Sequence, residues 1–296
     1  MGDAFGPLVD PAWLVASLGA ADLRVIDATW YAPIDDKDAR AEFTAGHIPG
    51  AVYIDISDVC DPGHSAPHML PPAELFADFI GAAGIDGDCR IVVYDNGEYA
   101  ATRLWWMFRV FGHDRVALLD GGLAGWRAAG GGLETATPAP APSPAPAVFK
   151  AVFRPGLIRS MADVLANIGR DAGDREQMVD ARPPARFAGE LPEMRPGLLS
   201  GHIPGSVNLH YADLIDEHSG RFRAAAEIEQ AFRDRGIDLD RPIVATCGSG
   251  VSACHLALGL FLTGRSDVPV YDGSWAEWGA HPDNPRRMGR DEDAGS

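Results

Sequence analysis

The pentapeptide Gly-His-Ile-Pro-Gly occurs twice in this chain, at residues 46–50 and again at residues 201–205. Such a repeat constrains the architecture before any single residue is interpreted, because repeated segments fold into repeated structural units. Three further pairs of segments match at nearly the same spacing: 27–28 with 180–181, 91–93 with 243–245, and 120–126 with 272–278. Two homologous halves are therefore predicted for the 296 residues, in keeping with a usual domain size of roughly 100–200 residues.

Between the halves lies an alternation of proline with small residues, TPAPAPSPAPA at 137–147. Such a composition favours an extended, semi-rigid connector without a core of its own. The last segment, 285–296, is charged and has no apolar period, which is typical of a tail. We therefore predict a first domain at 1–136, a linker at 137–147, a second domain at 148–284 and a C-terminal tail at 285–296.

In each half, short β-branched runs alternate with segments whose apolar residues recur at helical spacing. This order predicts an α/β fold in which each domain has a parallel sheet flanked by helices. The predicted strands are 24–26, 52–54, 91–94, 116–119, 177–180, 207–209, 243–246 and 268–271, and the clearest predicted helices are 73–83, 99–111, 224–235 and 251–263.

The charge of the chain excludes two classes of partner. The formal net charge is −17, so phosphate backbones and anionic membrane surfaces would repel it, and neither nucleic acid nor a membrane is expected as a partner. The sequence also has no stretch of about 18–20 apolar residues and no basic, apolar N-terminal signal, so a cytoplasmic protein is expected. Only two of the cations are lysines; the rest are arginines, the side chain suited to bidentate carboxylate binding.

The four cysteines include one in a distinctive setting. They form no Cys-x-x-Cys pair and are too few to staple a chain of this length, so a nucleophile is favoured over a disulfide. Cys247 ends a buried apolar run and is followed by Gly248-Ser249-Gly250 and then a predicted helix. The N–H groups of such a loop and the positive end of the helix favour a nucleophilic thiolate.

The alternative is that Cys247 is only a small buried apolar residue, as most free cysteines are. The repeat argues against this, because the equivalent position of the first half is Asp95. A carboxylate cannot act as a soft sulfur nucleophile, so the first half is predicted to be non-catalytic. Cys254, two helical turns after Cys247, is expected in the core.

Several motifs together resemble the tandem-domain rhodanese family, and within it the branch that uses 3-mercaptopyruvate. They are CGSGVSA at 247–253, the doubled GHIPG, VYDGSWAEW at 270–278 and HMLP at 68–71. The resemblance implies two rhodanese domains, an inactive first half, and a second half that transfers sulfur through a persulfide on Cys247 without a metal or an organic cofactor. It also implies a thiol or cyanide as sulfur acceptor, with a thioredoxin-like protein as one candidate.

The resemblance further implies which residues meet the substrate. Thiosulfate-using members carry cationic side chains where this chain has Gly248 and Ser249, which favours 3-mercaptopyruvate over thiosulfate. Arg186 and Arg195 match the arginines that grip the substrate carboxylate, although two solvated surface arginines are the alternative reading; Arg182 is interpreted as structural. The remaining loop residues expected against the substrate are Gly250, Val251 and Ser252.

The resemblance assigns His68 to a relay with the catalytic Ser249 and an acid. The position of that acid falls on Ser57 here, whereas Asp58 and Asp61 are nearby. The existence of the relay therefore stays an open question, and a solvated loop histidine is an equal alternative. Cys60, His64 and His68 have a spacing reminiscent of metal ligands, but intervening prolines and a glycine exclude the helix that would align them, so no metal is expected.

Three alternative functions stay open at this point. The first is a sulfurtransferase that prefers thiosulfate. The second is a cysteine-dependent phosphatase, which is disfavoured because its Cys-x5-Arg loop would need an arginine where this chain has Ala253. The third is a non-catalytic sulfur carrier or binding module, which the intact Cys247 disfavours.

Overall fold

The computed structural model describes residues 5–32, 34–97, 100–135 and 147–289. Its contacts divide the chain into two compact units. Unit 1 comprises 1–61, 70–154 and 217–222, and unit 2 comprises 62–69, 155–216 and 223–296. Apart from Ala147, the predicted linker lies outside the described residues, as does most of the predicted tail, so these boundaries stay predictions.

Within the described residues of unit 1, a parallel sheet has the strand order β1-β5-β4-β2-β3. The central strands are rich in Val and Ile and are buried, as expected for a sheet covered on both faces. The strands are β1 (Leu8–Val9), β2 (Leu23–Asp27), β3 (Val52–Tyr53), β4 (Arg90–Tyr94) and β5 (Val116–Leu119), and the helices are α1 (Pro11–Ser17), α2 (Ala39–Ala45), α3 (Ala73–Ala82), α4 (Ala100–Val110) and α5 (Gly122–Ala128).

The described part of unit 2 repeats this topology strand for strand, with the order β6-β10-β9-β7-β8 and every neighbouring pair parallel. The α/β fold predicted from the sequence is therefore confirmed. The strands are β6 (Ile158–Arg159), β7 (Gln177–Asp180), β8 (Val207–Asn208), β9 (Ile243–Thr246) and β10 (Val270–Tyr271), and the helices are α6 (Met161–Ile168), α7 (Pro184–Phe187), α8 (Ala225–Asp234), α9 (Ala253–Leu262) and α10 (Ser274–Trp278).

Helix α4 of unit 1 and helix α9 of unit 2 lie in their cores rather than on their surfaces. Trp105, Trp106 and Phe108 of α4 are fully buried, and α9 is buried from Ala253 through Leu260. Burying a large apolar side chain contributes about 1.5–3 kcal/mol, so these two helices supply much of the stability of their units. In the chain, α4 is the next element after β4 and α9 the next after β9. The loop between each strand and its helix is therefore held at both ends by buried elements.

Local capping explains where the shorter helices begin. Asp10 precedes Pro11 and accepts a hydrogen bond of 2.8 Å from the N–H of Ala12, which starts α1. Ser160 and Asp163 form a reciprocal capping box at the start of α6. Among the described residues, no helix combines the length and apolar character needed to cross a membrane.

Candidate active site

Cys247 lies directly beyond β9, at the carboxyl end of the parallel sheet of unit 2, where such sheets bind their ligands. Residues 247–252 form a tight loop that leads into α9. Gly250 has a φ of +74°, a left-handed conformation that glycine adopts without strain. Cys247 is only 2% exposed. The loop therefore places the thiol at the carboxyl end of the sheet, where water has little access to it.

The backbone of this loop offers hydrogen-bond donors that the protein does not use. Ser249, Val251 and Ser252 are buried residues, yet their N–H groups donate to no acceptor within the described part of the chain. Buried N–H groups without partners are rare in native proteins and indicate a place for a bound acceptor. Since they also lie at the positive end of α9, that acceptor is an anion.

Unit 1 contains an anion in the corresponding loop. Asp95 occupies the position of Cys247, and its carboxylate accepts hydrogen bonds from the N–H groups of Gly97 at 3.1 Å and Ala101 at 2.9 Å. By the repeat, these donors correspond to Ser249 and Ala253 of unit 2. The first unit thus fills its own loop with a carboxylate, whereas the second has a cysteine at that position.

The segment that follows β10 holds the loop 247–252 in place. The N–H of Trp275 donates to the carbonyl of Cys247 at 2.9 Å, and the N–H of Ala276 donates to that of Gly248 at 2.7 Å. The N–H of Cys247 donates in turn to the hydroxyl of Ser274 at 3.1 Å. The Ser274 hydroxyl itself lies 2.8 Å from the carbonyl of Tyr271 and 4.0 Å from Cys247 Sγ.

Ser274 is a site residue that the sequence analysis missed. It is fully buried and has a φ of +49°, a left-handed conformation that is costly for a residue with a side chain. Strained residues of this kind are retained where the surrounding structure uses them. A signal was available, because the repeat aligns Ser274 with Gly122, whose φ is +56°.

Arg182 is more closely tied to the site than the sequence suggested. Its guanidinium binds the carboxylate of Asp180 at 2.7 Å and that of Glu193 at 2.8 Å, and it stacks over the Trp275 ring at 4.7 Å. Burial works to lower the pKa of Arg182, but the charges of Asp180, Glu193 and Cys247 outweigh it and raise the pKa. Arg182 therefore stays charged beside the loop of Cys247.

The two arginines expected to bind a carboxylate lie in one segment. Arg186 is in α7 and donates a hydrogen bond of 3.3 Å to the carbonyl of Pro192, while Arg195 follows in the loop, and both are half-buried. Burial raises the pKa of Glu193, which lies between them in sequence, and the charges of Arg182 and Arg186 offset only part of that rise. The ion pair from Arg182 to Glu193 anchors this segment to the end of β7.

A stacked pair of rings marks where that segment is inserted. In unit 2 the ring of Phe187 stacks on His202 at 3.9 Å, and in unit 1 the ring of Phe43 stacks on His47 at the same distance. In both pairs the histidine Nδ1 hydrogen-bonds the carbonyl of its phenylalanine. The partners are four residues apart in unit 1 and fifteen in unit 2, so unit 2 carries eleven additional residues.

His68 belongs to the segment 62–69 of unit 2, is 5% exposed and has a φ of +60°. It is therefore not a solvated loop histidine. In the same segment, His64 Nδ1 accepts from the N–H of Ala66 at 3.0 Å, and His64 Nε2 lies 3.7 Å from Glu277 Oε1.

In unit 1, the hydroxyl of Ser57 accepts a hydrogen bond of 2.9 Å from the indole of Trp30, and Cys60 Sγ donates to the carbonyl of Ser57 at 3.0 Å. Asp58 pairs with Arg40 at 3.5 Å.

The described residues contain no group of three or more His, Cys, Asp or Glu side chains arranged to hold a metal ion.

Comparison with known proteins agrees with this geometry. The model of the rhodanese-like domain matches residues 10–129 and 160–281. The chain is 44% identical over 287 residues to mouse 3-mercaptopyruvate sulfurtransferase, covering 93% of this chain and 92% of the relative. It is also 44% identical over 278 residues to chicken thiosulfate sulfurtransferase, covering 92% of each.

Among solved structures, the 3-mercaptopyruvate sulfotransferase SseA from Escherichia coli superposes with a TM-score of 0.81 at 36% identity, covering 91% of this chain and 99% of SseA. Both halves of the repeat thus match one domain type, and the relatives match along nearly their full lengths. The resemblance drawn from the motifs is confirmed: the chain belongs to the rhodanese family and carries two rhodanese-like domains.

Proposed function

We propose that this protein is a sulfurtransferase that moves sulfur from 3-mercaptopyruvate to a thiol acceptor through a persulfide on Cys247. The observation that carries the proposal is the loop of Cys247. It combines a buried thiol with the buried residues Ser249, Val251 and Ser252, whose N–H groups donate to no acceptor among the described residues, and it has no cationic side chain of its own. Such a loop supports a thiolate and a persulfide anion through backbone dipoles.

In the first step, the Cys247 thiolate attacks the sulfur of the donor. A bond forms between Sγ and that sulfur, and the donor's carbon–sulfur bond breaks. Its electron pair leaves with the carbon as the enolate of pyruvate, which then takes up a proton. In the second step, an acceptor thiolate attacks the outer sulfur of the persulfide, which returns Cys247 to a thiolate.

The donor carboxylate is assigned to Arg186 and Arg195. Both are half-buried; Arg186 lies in α7 just before the eleven-residue insertion, and Arg195 lies on it. Arginine binds carboxylates with two parallel hydrogen bonds. Gly248, Gly250, Val251 and Ser252 are proposed to line the path of the sulfur. The equal identity to relatives named for either donor does not decide between them, so the choice rests on the charges near Cys247.

Ser249 and His68 are proposed to deliver the proton to the departing enolate. Ser249 is 8% exposed, and its hydroxyl makes no hydrogen bond to another described residue, so it is available to the substrate. The pairing of His68 with an acid stays a prediction. The physiological acceptor is proposed to be a thiol, of a thioredoxin-like protein or a small molecule, and the compartment to be the cytoplasm.

Thiosulfate is the second candidate donor, and the chicken relative supports it by its name. The decisive experiment compares pyruvate release from 3-mercaptopyruvate with sulfite release from thiosulfate at matched acceptor concentrations. Arg186→Ala and Arg195→Ala should each lower kcat/KM for 3-mercaptopyruvate by roughly 10- to 100-fold, because each removes charge-assisted hydrogen bonds. An equal loss with both donors, or a parent enzyme that prefers thiosulfate, would contradict the assignment of the donor.

Mass spectrometry tests the persulfide itself. After treatment with donor, the parent protein should carry one added sulfur on Cys247, and Cys247→Ser should carry none. Cys254→Ser is the matched control, because Cys254 is buried in α9. Sulfur found on Cys60 or Cys254 would refute the role of Cys247.

A further inference from the structure

Unit 1 contains a cavity of about 210 Å³ that lies entirely within that unit. Asp27, the last residue of β2, and Asn96, which follows β4, both line it. It therefore lies beyond the carboxyl ends of parallel strands, the position at which such sheets bind ligands. Its volume holds about seven water molecules at roughly 30 Å³ each, which suits a ligand with on the order of seven non-hydrogen atoms.

The charge of this cavity is reversed relative to the proposed substrate site of unit 2. The stacked pairs Phe43–His47 and Phe187–His202 place Phe43 and Phe187 in equivalent positions. The residues that precede them are Glu42 in unit 1 and Arg186 in unit 2. A carboxylate thus stands where unit 2 has a cation, so unit 1 is not a degenerate copy that binds the same anion more weakly.

The Glu42 carboxylate is held in place by neutral groups. Its Oε2 accepts hydrogen bonds from the Tyr31 hydroxyl at 2.6 Å and from the Asn96 amide at 2.8 Å. Within the described residues, no cation lies at ion-pair distance from Glu42. The negative charge is therefore oriented but not neutralised, which favours a cationic group in the cavity.

A second carboxylate and a hydroxyl complete the polar wall. Asp27 is 2% exposed, and its Oδ1 accepts from the N–H of Thr29 at 2.9 Å. The hydroxyl of Thr29 accepts from the N–H of Asn96 at 3.1 Å and keeps a second lone pair that can accept another hydrogen bond. An ammonium group, with three donors, matches several acceptors of this kind.

The remaining wall offers a cation and an apolar surface. Arg127, in the last turn of α5, is exposed, and its guanidinium makes no hydrogen bond or ion pair in the part of the chain that the structure describes. Phe43 and Leu123 supply apolar contacts. We propose that this cavity binds a small α-amino acid as its zwitterion, with the ammonium group on Glu42 and Asp27 and the carboxylate on Arg127.

Calorimetric titration of the full chain with L-alanine and with its two analogues that each lack one charged group tests the proposal. L-Alanine carries both charges, whereas ethylamine and propionate carry one each. We expect L-alanine to bind, and each single-charge ligand to bind at least tenfold more weakly. No detectable binding of L-alanine would overturn the proposal. Ethylamine or propionate binding as tightly as L-alanine would overturn it too, because one of the two charged contacts would then be unnecessary.

Substitutions locate the ligand. Glu42→Gln and Arg127→Ala should each weaken L-alanine binding at least tenfold, whereas the exposed Glu74→Gln on α3 should not change it. Arg186→Ala should also leave it unchanged, which separates this cavity from the proposed substrate site. Loss of binding in Arg186→Ala, or unchanged binding in Glu42→Gln, would overturn the proposal without affecting the proposed sulfur transfer.

Discussion

Replacing Ser274 by alanine and by glycine separates two contributions of this residue. Both substitutions remove the hydroxyl that accepts from the N–H of Cys247 at 3.1 Å and lies 4.0 Å from Sγ. Only glycine also removes the side chain that makes a φ of +49° costly. The pair therefore distinguishes the chemistry of the hydroxyl from the strain of the backbone.

The free-energy cost of each substitution follows from the contacts that it removes. Loss of the hydroxyl leaves the buried N–H of Cys247 without its acceptor, which costs about 1–3 kcal/mol in both variants. A left-handed residue with a side chain costs roughly 1–2 kcal/mol relative to glycine. Glycine loses about 0.5–1 kcal/mol through the greater freedom of its unfolded chain. Ser274→Gly should therefore be more stable than Ser274→Ala by about 0.5–1 kcal/mol, the reverse of the usual order.

The rate of persulfide formation should depend on the presence of the Ser274 hydroxyl and not on the backbone strain. A lost hydrogen bond of about 1 kcal/mol in the attack on sulfur corresponds to roughly a fivefold slower step, equal in the two variants. Unfolding midpoints in urea, measured under identical conditions, test the stability order, and single-turnover persulfide formation followed by mass spectrometry tests the rate. An alanine variant more stable than the glycine variant would refute the strain argument, and unequal rates would refute the role given to the hydroxyl.

Asp95→Asn should change turnover by less than about tenfold, or 1.4 kcal/mol, because unit 1 holds no nucleophile at that position; steady-state kinetics of the folded variant check this, and a loss of several hundredfold would contradict it. Burial lowers the pKa of His255 to about 3, so the folded state keeps it neutral while the unfolded chain takes up a proton below about pH 6.5. Stability should therefore fall by about 2 kcal/mol from pH 7 to pH 5, and less so in His255→Asn, as unfolding midpoints at the two pH values will show. Arg182→Met should lower stability by about 3–5 kcal/mol, because it leaves two carboxylates buried without their cation; thermal unfolding measures the loss, and a variant as stable as the parent would show that the ion pairs contribute little.

The central strands could be read from the sequence because they are long, buried and β-branched. The predicted strands 116–119, 177–180 and 243–246 match the observed ones residue for residue. The two-residue edge strands β1 and β6 were missed, whereas the equally short β3 and β8 were predicted from the apolar runs 52–54 and 207–209. The short helices α1 and α6 were also missed, although Asp10-Pro11 and the Ser160–Asp163 pair are recognisable capping signals.

The candidate site was only partly readable for a different reason. Cys247 can be identified from its neighbours in the sequence, because a strand, two glycines and a helix follow one another within a few residues. The network of Arg182 does not, because it joins Glu193 in the insertion and Trp275 after β10, and both contacts exist only in the folded unit. Long-range partners of this kind leave no trace in the spacing of a single sequence.

The eleven-residue insertion of unit 2 has a consequence for how such proteins diversify. The stacked rings of Phe187 and His202 hold both of its ends together. In unit 1 the equivalent rings of Phe43 and His47 stack in the same way without the extra residues between them. The segment can therefore be lengthened, shortened or exchanged while the strands on either side keep their register. Because the insertion carries Arg195, which we propose to bind the donor carboxylate, and does not include Cys247, grafting it between relatives should change the donor preference on an unchanged scaffold.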